Sequence, residues 1–438
     1  MNERLLSDLQ EWLRIPSVST GGGDAAALER AAKWVVDKVR AAGGTAALER
    51  LGDGAPLAVG ELGATRATAP TVLIYGHYDV QDPGPASAWA SAPFEPEIRD
   101  GRLYARGAAD DKGNFLPLLH AACELAAAGR LEVNVRVLVE GEEEVGSAAV
   151  TSWIRADPTP PDVAIVFDSG MADPDTPAVT VGLRGSVQLQ LAVRTAERNL
   201  HSGLYGGSVL NALHVLHGCL AEILPDREGR LRPELRAGIA APAAAELQSW
   251  ARLTPGEQVL AEVGGRPLGE LAGRDYYLRN GADASLDVNE VRGGEPRTVV
   301  PAEAHATVTQ RLAPGQDPAA VAATLERLLR GALAPGAELS IDLRLSAPAL
   351  FDVGEPALRL AGAALQRACG VAPAFLRSGG SIPVVAEMAA RGYPVIVGGF
   401  GLADDAIHAP NESYRLRSIE LAEAASHELL AAFAAFGG

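Results

Sequence analysis

The first part of the chain alternates between helical spacing of apolar residues and short continuous apolar runs. Apolar positions three and four apart predict helices at residues 3–14 and 24–43. An Ala/Leu-rich segment predicts a further helix at about 112–128. Three continuous runs rich in β-branched residues predict buried strands; they are TVLIYG (71–76), VNVRVLV (133–139) and VAIVF (163–167). This order of elements indicates a largely parallel sheet with helices on both faces.

The pattern changes after VGLRG at 181–185, where apolar and polar residues begin to alternate, as in a strand with one face in water. The segments predicted as strands here are SVQLQLAVRT, ASLDVNEVRG, HATVTQRLAP and LSIDLRLS. With helices at about 208–224 and 317–333, they predict an α+β unit of about four antiparallel strands with helices on one face. The earlier pattern resumes near residue 355, with a buried strand at 394–399 and a closing helix at 417–435.

A chain of 438 residues exceeds one ordinary hydrophobic core, so two domains are expected. The candidate metal ligands described below lie on both sides of the middle segment and none lies within it. We therefore predict one discontinuous catalytic domain, formed by residues 1–183 and 346–438, with a second domain inserted at 184–345. The predicted fold class is α/β: a mostly parallel sheet sandwiched by helices, with an inserted α+β domain.

Charge and cysteine content exclude several classes of protein. The 38 Lys and Arg against 55 Asp and Glu give 38 − 55 = −17, which argues against binding of nucleic acid. The charged, amphipathic N-terminus is not a secretory signal, and no stretch approaches the ~18–20 apolar residues of a membrane span. Three widely spaced cysteines favour free thiols over a disulfide framework or a thiolate zinc site. These features predict a cytoplasmic enzyme that contacts neither nucleic acid nor a membrane.

Candidate metal ligands follow apolar runs or lie in short loops; they are His77, Asp110, Glu144, Asp168 and His408. Two imidazoles and three carboxylates suffice for a pair of divalent cations if one carboxylate bridges them. In open α/β sheets, ligands bind beyond the carboxyl ends of the strands, and His77, Glu144 and Asp168 all follow predicted strands. If metals are bound, Glu143, beside Glu144, is free to take a proton from a metal-bound water.

Each of these segments also has a structural interpretation when taken alone. His77 and Asp79 are two apart, so Asp79 can accept a hydrogen bond from the imidazole with or without a metal. Asp110 and Asp111 precede a helix, where aspartate is a favoured cap. The four glutamates of EGEEEVGS suit a solvated acidic turn. The convergence of several strand ends favours the metal interpretation over these alternatives.

The remaining histidines carry weaker signals. His201 lies in NLHSGLYGG, a polar segment bracketed by glycines, which suits either an exposed catalytic donor or an ordinary loop histidine. His214 and His217 lack the glutamate of the H-E-x-x-H zinc motif and are interpreted as packing or surface residues. No carboxylate or glycine context marks the other three histidines, which are His120, His305 and His427.

Over nearly its whole length the chain resembles metallopeptidase family twenty, a family of co-catalytic zinc peptidases. The motifs that carry the resemblance, in the family's order, are GHYDV, WASAPFEPEIRDGRLYARGAADDKG, EGEEEVGS, FDSG, NLHSGLYGG, TVVPAEAHATVTQRLAPGQDP, SGGSIPV and HAPNE. The family includes carnosinase-like dipeptidases, aminoacylase, carboxypeptidase G, acetylornithine deacetylase and succinyl-diaminopimelate desuccinylase. DDKG, EGxEExGS and LHSGxYGG most resemble the carnosinase-like branch.

The resemblance implies the division of the ligands between two metal ions. Asp110 would bridge the ions. His77 and Asp168 would complete one site, and Glu144 and His408 the other. Zinc is the expected metal, and manganese or cobalt would also suit these oxygen and nitrogen ligands. The bond between Asp110 and Asp111 resembles the family's non-proline cis peptide.

The resemblance also implies roles around the metals. Glu143 would be the general base and acid, and Asp79 the partner of His77. His201 would polarise the scissile carbonyl from a second subunit, in a homodimer formed through the inserted, ferredoxin-like lid domain. The residues expected to contact the substrate's C-terminal carboxylate are Arg311, Gly380 and Ser381.

The implied function is a metallopeptidase of the dipeptidase or carboxypeptidase type, which cleaves the amide bond of dipeptides or short peptides with a free C-terminal carboxylate. The alternative is a deacylase of N-acyl amino acids, of the acetylornithine or succinyl-diaminopimelate type, with the same metals and a different pocket. A non-catalytic scaffold is disfavoured because Glu143 and all five ligands are present. An NAD-type enzyme is disfavoured because no G-x-G-x-x-G follows the first strand.

Overall fold

The computed structural model describes residues 2–21 and 23–436. The strands are β1 (Thr45–Glu49), β2 (Leu57–Leu62), β3 (Thr71–His77), β4 (Glu97–Arg99), β5 (Arg102–Tyr104), β6 (Asn134–Glu140), β7 (Val163–Phe167), β8 (Ala178–Leu183), β9 (Gly185–Arg194), β10 (Leu200–His201), β11 (Ser285–Gly293), β12 (Val299–Val300), β13 (Glu303–Leu312), β14 (Glu338–Ser346), β15 (Ala349–Leu350), β16 (Ala374–Ser378), β17 (Val395–Gly399) and β18 (Ser413–Arg415). The helices are α1 (Glu3–Leu13), α2 (Ala25–Ala41), α3 (Lys112–Ala127), α4 (Ala148–Ala156), α5 (Ser202–Tyr205), α6 (Ala212–Ala221), α7 (Ala244–Trp250), α8 (Gly256–Glu262), α9 (Pro318–Gly331), α10 (Pro356–Cys369), α11 (Pro383–Ala390) and α12 (Leu416–Phe433).

The larger sheet has the strand order β1-β2-β6-β3-β7-β17-β8-β15, with β16 also paired to β8. Its central strands β6, β3, β7 and β17 run parallel to one another. Antiparallel strands extend it on both sides. The central strands are buried almost throughout, as continuous apolar runs predict. The predicted α/β fold class is confirmed.

Two hydrophobic cores lie on opposite faces of this sheet. Side chains in a strand alternate between faces, so Val72 and Ile74 of β3 pack with α1, α2, α3, α10 and α12. Leu73 and Tyr75 of the same strand point the other way and pack with α4 and α11. Both faces are therefore covered by helices. No helix within residues 2–21 and 23–436 is both long enough and apolar enough to cross a bilayer.

A second, four-stranded antiparallel sheet forms in the middle of the chain, with the order β11-β13-β9-β14. Along the chain its elements follow as β9-α6-β11-β13-α9-β14, which is the βαββαβ order of a ferredoxin-like unit. Apolar residues of β9 and β13 form a separate core with α6 and α9. The first of these helices is shorter than the predicted 208–224, because Asn211 caps it by accepting from Leu213 N at 3.0 Å.

Candidate functional site

Asp110 lies between two histidines that come from distant parts of the sequence. Its Oδ1 is 3.0 Å from His77 Nε2, and its Oδ2 is 2.9 Å from His408 Nε2. His77 Nε2 is also 3.9 Å from Asp168 Oδ1, and His408 Nε2 is 3.3 Å from Glu144 Oε2. The five predicted ligands therefore form two groups of three, and both groups include Asp110.

The ends of three parallel strands bring three of these side chains to one edge of the large sheet. His77 is the last residue of β3, which pairs in parallel with both β6 and β7. Asp168 directly follows β7, and Glu144 lies in the turn after β6. The carboxyl ends of parallel strands meet at the same edge, so residues remote in sequence become neighbours there.

His408 reaches the cluster from a loop with unusual backbone geometry. Its φ is +61°, and φ is also positive at Ala406 and Asn411. Asparagine adopts left-handed geometry readily, but for residues such as alanine it costs roughly 1–2 kcal/mol, so surrounding contacts must hold the loop. Asn411 supplies two of them, since its side chain accepts from Ala90 N at 2.8 Å and donates to Ala88 O at 3.0 Å.

A buried glutamate in the same loop fixes the backbone that leads to Asp110. Glu412 Oε2 accepts from Arg106 Nη1 at 2.6 Å and from Gly107 N at 3.0 Å. Its Oε1 accepts from Ala109 N at 2.9 Å and from Asp110 N at 3.1 Å. One carboxylate thus orders two segments of the site. Sequence reasoning gave Glu412 no role, although it stands within the HAPNE motif.

Two residues at the start of α3 have contacts that sequence reasoning did not predict. Asp111, for which a helix cap was the structural alternative, makes no side-chain cap bond. The peptide bond between Asp110 and Asp111 is cis, as the resemblance implied, and Asp111 Oδ2 accepts from His77 N at 3.2 Å. Asn114 donates to Ser169 O at 3.0 Å and accepts from Phe400 N at 3.0 Å. It therefore ties the helix to the segments that follow β7 and β17.

Asp79 connects His77 to the turn that carries two glutamates. His77 Nδ1 is 3.0 Å from Asp79 O and 3.4 Å from its Oδ1, so the main-chain carbonyl is the closer partner. The carboxylate accepts from Glu143 N and Glu144 N, both at 3.2 Å, and from Ser19 Oγ at 2.6 Å. Asp79 therefore restrains both the imidazole and the glutamate turn, the usual task of groups behind a metal ligand.

Glu143 lies where its charged form is disfavoured. Burial raises the pKa of its carboxyl to about 7; the positive charge of His77 opposes this shift, and the negative charges of Asp110 and Glu144 reinforce it. A carboxyl with a pKa near neutrality is suited both to accept and to return a proton near pH 7.

The donors of the two groups fit divalent cations. Burial raises the pKa of Asp168 well above its ordinary value, and the charges of Glu143 and Asp111 raise it further. Hydrogen bonding to Asp110 and Glu144 raises the pKa of His408 to about 10. Glu144 Oε1 is buried and has no hydrogen-bond partner in the described part of the chain. Imidazole and carboxylate donors with excess negative charge suit zinc, manganese or cobalt.

The residues predicted to contact a substrate carboxylate lie around a second arginine, Arg184. Its Nε donates to Gly379 O at 3.2 Å, beside Gly380 and Ser381, and its Nη1 donates to Ser285 Oγ at 3.2 Å. Ser285 pairs in register with Arg311 on β13. Burial and, after it, the charge of Arg311 lower the pKa of Arg184 to about 10. Two guanidinium groups that repel each other beside a glycine loop suit an anionic ligand.

His201 is the exposed last residue of β10 and directly precedes α5. Its Nδ1 accepts from Gly203 N at 3.1 Å, which leaves the proton of a neutral ring on Nε2 as a free donor. Within residues 2–21 and 23–436, no hydrogen bond or ion pair joins His201 to the two ligand groups. The interpretation of His214 and His217 as surface residues agrees with their exposure.

Comparison with known proteins extends these findings over nearly the whole chain. Residues 73–432 match the sequence family described as Peptidase family M20/M25/M40. A Cysteinylglycine-S-conjugate dipeptidase from Corynebacterium striatum is 30% identical over 443 residues, which cover 98% of this chain and 95% of that one. The metallo-carboxypeptidase Sso-CP2 from Sulfolobus solfataricus is 26% identical, with a TM-score of 0.86 over 99% of this chain and 100% of that one. The dipeptidase Dug1p from Saccharomyces cerevisiae, at 22% identity, shares the fold with a TM-score of 0.81 over 99% of this chain and 96% of that one.

Proposed function

We propose that this chain, which belongs to Peptidase family M20/M25/M40, hydrolyses the amide bond of dipeptides or short peptides with a free C-terminal carboxylate. The observation that carries the proposal is the position of Asp110, whose two oxygens lie 3.0 and 2.9 Å from His77 and His408. A carboxylate shared by two ligand groups is the arrangement that holds two divalent ions close together, with the reacting bond between them.

The substrate class is supported by the relatives and by the region around Arg184. The similar proteins include a dipeptidase and a metallo-carboxypeptidase, which supports a short peptide with a free C-terminus as the substrate of this chain. In this chain, Arg311 would bind that carboxylate with its forked guanidinium, and Gly380 and Ser381 would add main-chain and hydroxyl donors. The same donors would fit the carboxylate of an N-acyl amino acid, so the test includes that class.

In the proposed mechanism His77, Asp110 and Asp168 would hold one metal, and Asp110, Glu144 and His408 would hold the other. When bound, the cations would lower the pKa of water and offset negative charge that develops on oxygen. Glu143 takes the proton from the attacking water and passes it to the leaving amine. Asp79 holds the ring of His77 and the turn of Glu143 in position throughout.

The dimer is part of the proposal, with His201 acting on a partner subunit. Its Nε2–H would donate to the scissile carbonyl oxygen as negative charge develops there, an effect commonly worth about 3–4 kcal/mol. The exposure of His201, with Leu204 74% and Tyr205 46% exposed in the next turn, supports an interface at this loop. The ferredoxin-like segment would then be both lid and dimerisation domain.

We further propose zinc as the resident metal and the cytoplasm as the compartment. The ligand set of two imidazoles and three carboxylates supports zinc, and it also accommodates manganese or cobalt. Cys123, Cys219 and Cys369 are all free thiols, which is the state that a reducing compartment maintains.

A substrate panel with the metal-reconstituted enzyme tests the proposal. The panel compares free dipeptides, the same dipeptides amidated at the C-terminus, and acetyl- and succinyl-amino acids, each with a chelated control. We expect kcat/KM to be highest for free dipeptides. Amidation should lower it by about 10–100-fold, because a charge-assisted hydrogen bond to the carboxylate contributes about 1.5–3 kcal/mol.

Two results of this panel would contradict the proposal. Fastest turnover of the N-acyl amino acids would assign the chain to the deacylases. Equal turnover of free and amidated dipeptides would show that Arg311, Gly380 and Ser381 do not bind the carboxylate. Metal analysis of the protein purified from its own host tests the choice of zinc.

A further inference from the structure

A second cluster of histidines and glutamates lies where α3 packs against α12. His120 and Glu124 are four residues apart on α3, and Glu423 and His427 are four residues apart on α12. Residues spaced by four lie on the same face of a helix, one turn apart. Each helix therefore offers one imidazole and one carboxylate to the other. Sequence reasoning left His120 and His427 unmarked, because the partner groups of each lie partly on the other helix.

The donor atoms of this cluster are spaced as ligands of a single ion. One ligand atom each from His120, Glu124 and Glu423 lies within 4.8 Å of the other two. Glu124 Oε2 is 3.9 Å from His120 Nε2 and 3.6 Å from His427 Nε2. With metal–ligand bonds of about 2.1 Å, the ligands of a tetrahedral ion are roughly 3.4 Å apart. The two separations from Glu124 Oε2 are a few tenths of an ångström wider than this, and all those among His120, Glu124 and Glu423 are below 4.8 Å. Binding of an ion would therefore draw the side chains of this cluster closer together.

The contacts of the Asn2 side chain show that His120 Nε2 and Glu423 Oε1 point toward the same place. Asn2 Nδ2 lies 3.1 Å from His120 Nε2 and 2.6 Å from Glu423 Oε1. One electropositive group therefore serves both acceptors, as a cation would. The other end of the amide, Oδ1, caps α1 by accepting from Arg4 N and Leu5 N.

Burial and access are also those of a binding site. His120 is 9% exposed, so its imidazole is shielded from water. Burial lowers the pKa of His120, with the nearby carboxylates opposing the shift, so the ring is neutral and able to bind a metal near pH 7. A cavity of about 320 Å³, lined by Asn2, His120, Cys123 and Glu124 among others, opens beside the cluster.

We propose that His120, Glu124, Glu423 and His427 bind one divalent transition-metal ion, separate from the candidate catalytic pair. Two imidazoles and two carboxylates favour zinc or a similar ion over calcium or magnesium, which prefer all-oxygen sites. The ion would clip α3 to α12. Helix α3 begins two residues after Asp110 and α12 begins four residues after Glu412, so the clip would stabilise the two helices that carry the catalytic loops.

Metal stoichiometry tests the proposal without reference to activity. Wild-type protein and the variants Glu423→Gln and His427→Asn are stripped with a chelator and equilibrated with buffered Zn²⁺, and bound zinc is counted by mass spectrometry. His217→Asn, which alters an exposed histidine on α6, is the matched control. We expect each cluster variant to bind one zinc fewer per chain than the wild type, and the control to bind the same number.

Two further measurements sharpen the result. Saturating Zn²⁺ should raise the Tm of the wild type by about 2–4 °C more than that of His427→Asn, since binding stabilises only the folded state. Asn2→Asp keeps an oxygen to cap α1 and replaces the Nδ2 donor with a ligand oxygen. It should therefore bind Zn²⁺ about tenfold more tightly at this site, because it adds a negatively charged ligand. Equal zinc counts in the wild type and both cluster variants, or weaker binding by Asn2→Asp, would overturn the proposal.

Discussion

Glu143 and Glu144 are neighbours in sequence but have different surroundings. Glu144 Oε2 accepts from Gln81 Nε2 at 2.7 Å and lies 3.3 Å from His408 Nε2, whereas its Oε1 has no hydrogen-bond partner in the described part of the chain. Glu143 is half-buried, and its partial burial and the other acidic groups around it raise the pKa of its carboxyl to about 7. Because the two neighbouring carboxyl groups have different surroundings, they are suited to different tasks. Glu144 is suited to hold a cation, and Glu143 is suited to move a proton.

Replacing Glu143 with glutamine should separate proton transfer from metal binding. The amide has nearly the same shape but cannot accept a proton, so we expect kcat to fall by at least about 10²–10⁴-fold. Metal content, measured by mass spectrometry, should stay at the wild-type value.

Glu142→Gln is the matched control, because Glu142 lies in the same turn and accepts from Ala55 N at 3.2 Å, away from the ligands. Its kcat should stay near that of the wild type. Near-normal turnover by Glu143→Gln with a full metal complement would show that another group is the base.

At the scale of elements, the site depends on buried carboxylates that join segments remote in sequence. Glu412 accepts four N–H donors from the segment 106–110, including the buried guanidinium of Arg106. Asp157, at the end of α4, likewise joins segments that are remote in sequence, on the other face of the sheet. Its Oδ2 accepts from Arg136 Nη1 at 2.9 Å and from Tyr393 OH at 3.1 Å.

Glu412→Gln should destabilise the chain strongly, because an amide has one acceptor oxygen for four donors and leaves Arg106 without its buried counter-charge. Breaking a buried ion pair typically costs about 3–5 kcal/mol. We expect a loss of this size in the free energy of unfolding, measured with urea in the presence of a chelator. The same variant should bind metal more weakly, since Asp110 N loses its anchor.

The matched control is Glu428→Gln, which removes an exposed pair with Arg367. Exposed pairs contribute about 0–1 kcal/mol, so this variant should unfold near the wild-type urea midpoint. An equally small effect of Glu412→Gln would show that the loop is held by other contacts.

Asp157 gives a prediction that depends on pH. Burial alone would raise the pKa of its carboxyl, but hydrogen bonds from Arg136, Thr159 N and Tyr393 outweigh burial and hold the pKa below its ordinary value. A depressed folded-state pKa stabilises the protein above the unfolded-state pKa of about 3.9, and this stabilisation is lost as pH falls through the folded-state value. Asp157→Asn should therefore lower the free energy of unfolding at pH 7 by about 1–3 kcal/mol.

The difference in the free energy of unfolding between the wild type and Asp157→Asn should shrink as the pH falls from 5 to 3, as measured by urea unfolding across that range. Asp37→Asn, which removes an exposed pair with Lys33, serves as the control and should show little difference at either pH. A constant difference at all pH values would mean that Asp157 acts through packing and not through its charge.

Some features of the fold and site could be predicted from sequence because they follow from short-range patterns. His77 and Asp168 end continuous apolar runs, and parallel strands bring such ends together. Helices α7 and α8 were not predicted, since seven residues each are too few for helical periodicity to emerge. The roles of Glu412 and Asn114 could not be predicted, because their hydrogen-bond partners are mainly main-chain groups of remote segments. Such contacts leave no pattern in the sequence.

At the scale of the whole molecule, the two sheets are joined by two chain crossings that lie side by side. The chain leaves the large sheet after β8 and returns to it at β15, and Gly185 at the first crossing lies against Ser346 and Pro348 at the second. A Cβ on Gly185 would approach Ser346 O to 2.4 Å, so the close contact requires glycine. Adjacent crossings of this kind are suited to act as a hinge between the sheets.

Hybrid dimers test whether His201 acts on a partner subunit. A chain with Glu143→Gln has no base but keeps His201, and a chain with His201→Ala keeps its base but lacks the donor. In a mixed dimer, the site with the intact base would receive His201 from the other chain. Random mixing makes half of the dimers hybrid with one working site of two, so activity should recover to about a quarter of the wild type.

Each variant alone should be nearly inactive, and light scattering should show the mixture to be dimeric. Because refolding or subunit exchange is needed to form hybrids, a mixture kept without exchange is the control and should stay inactive. If His201 acted within its own chain, every site in a hybrid would lack one of the two groups, and no recovery would occur. Recovery would therefore depend on His201 of one chain completing the active site of another, which would make dimerisation a condition for catalysis.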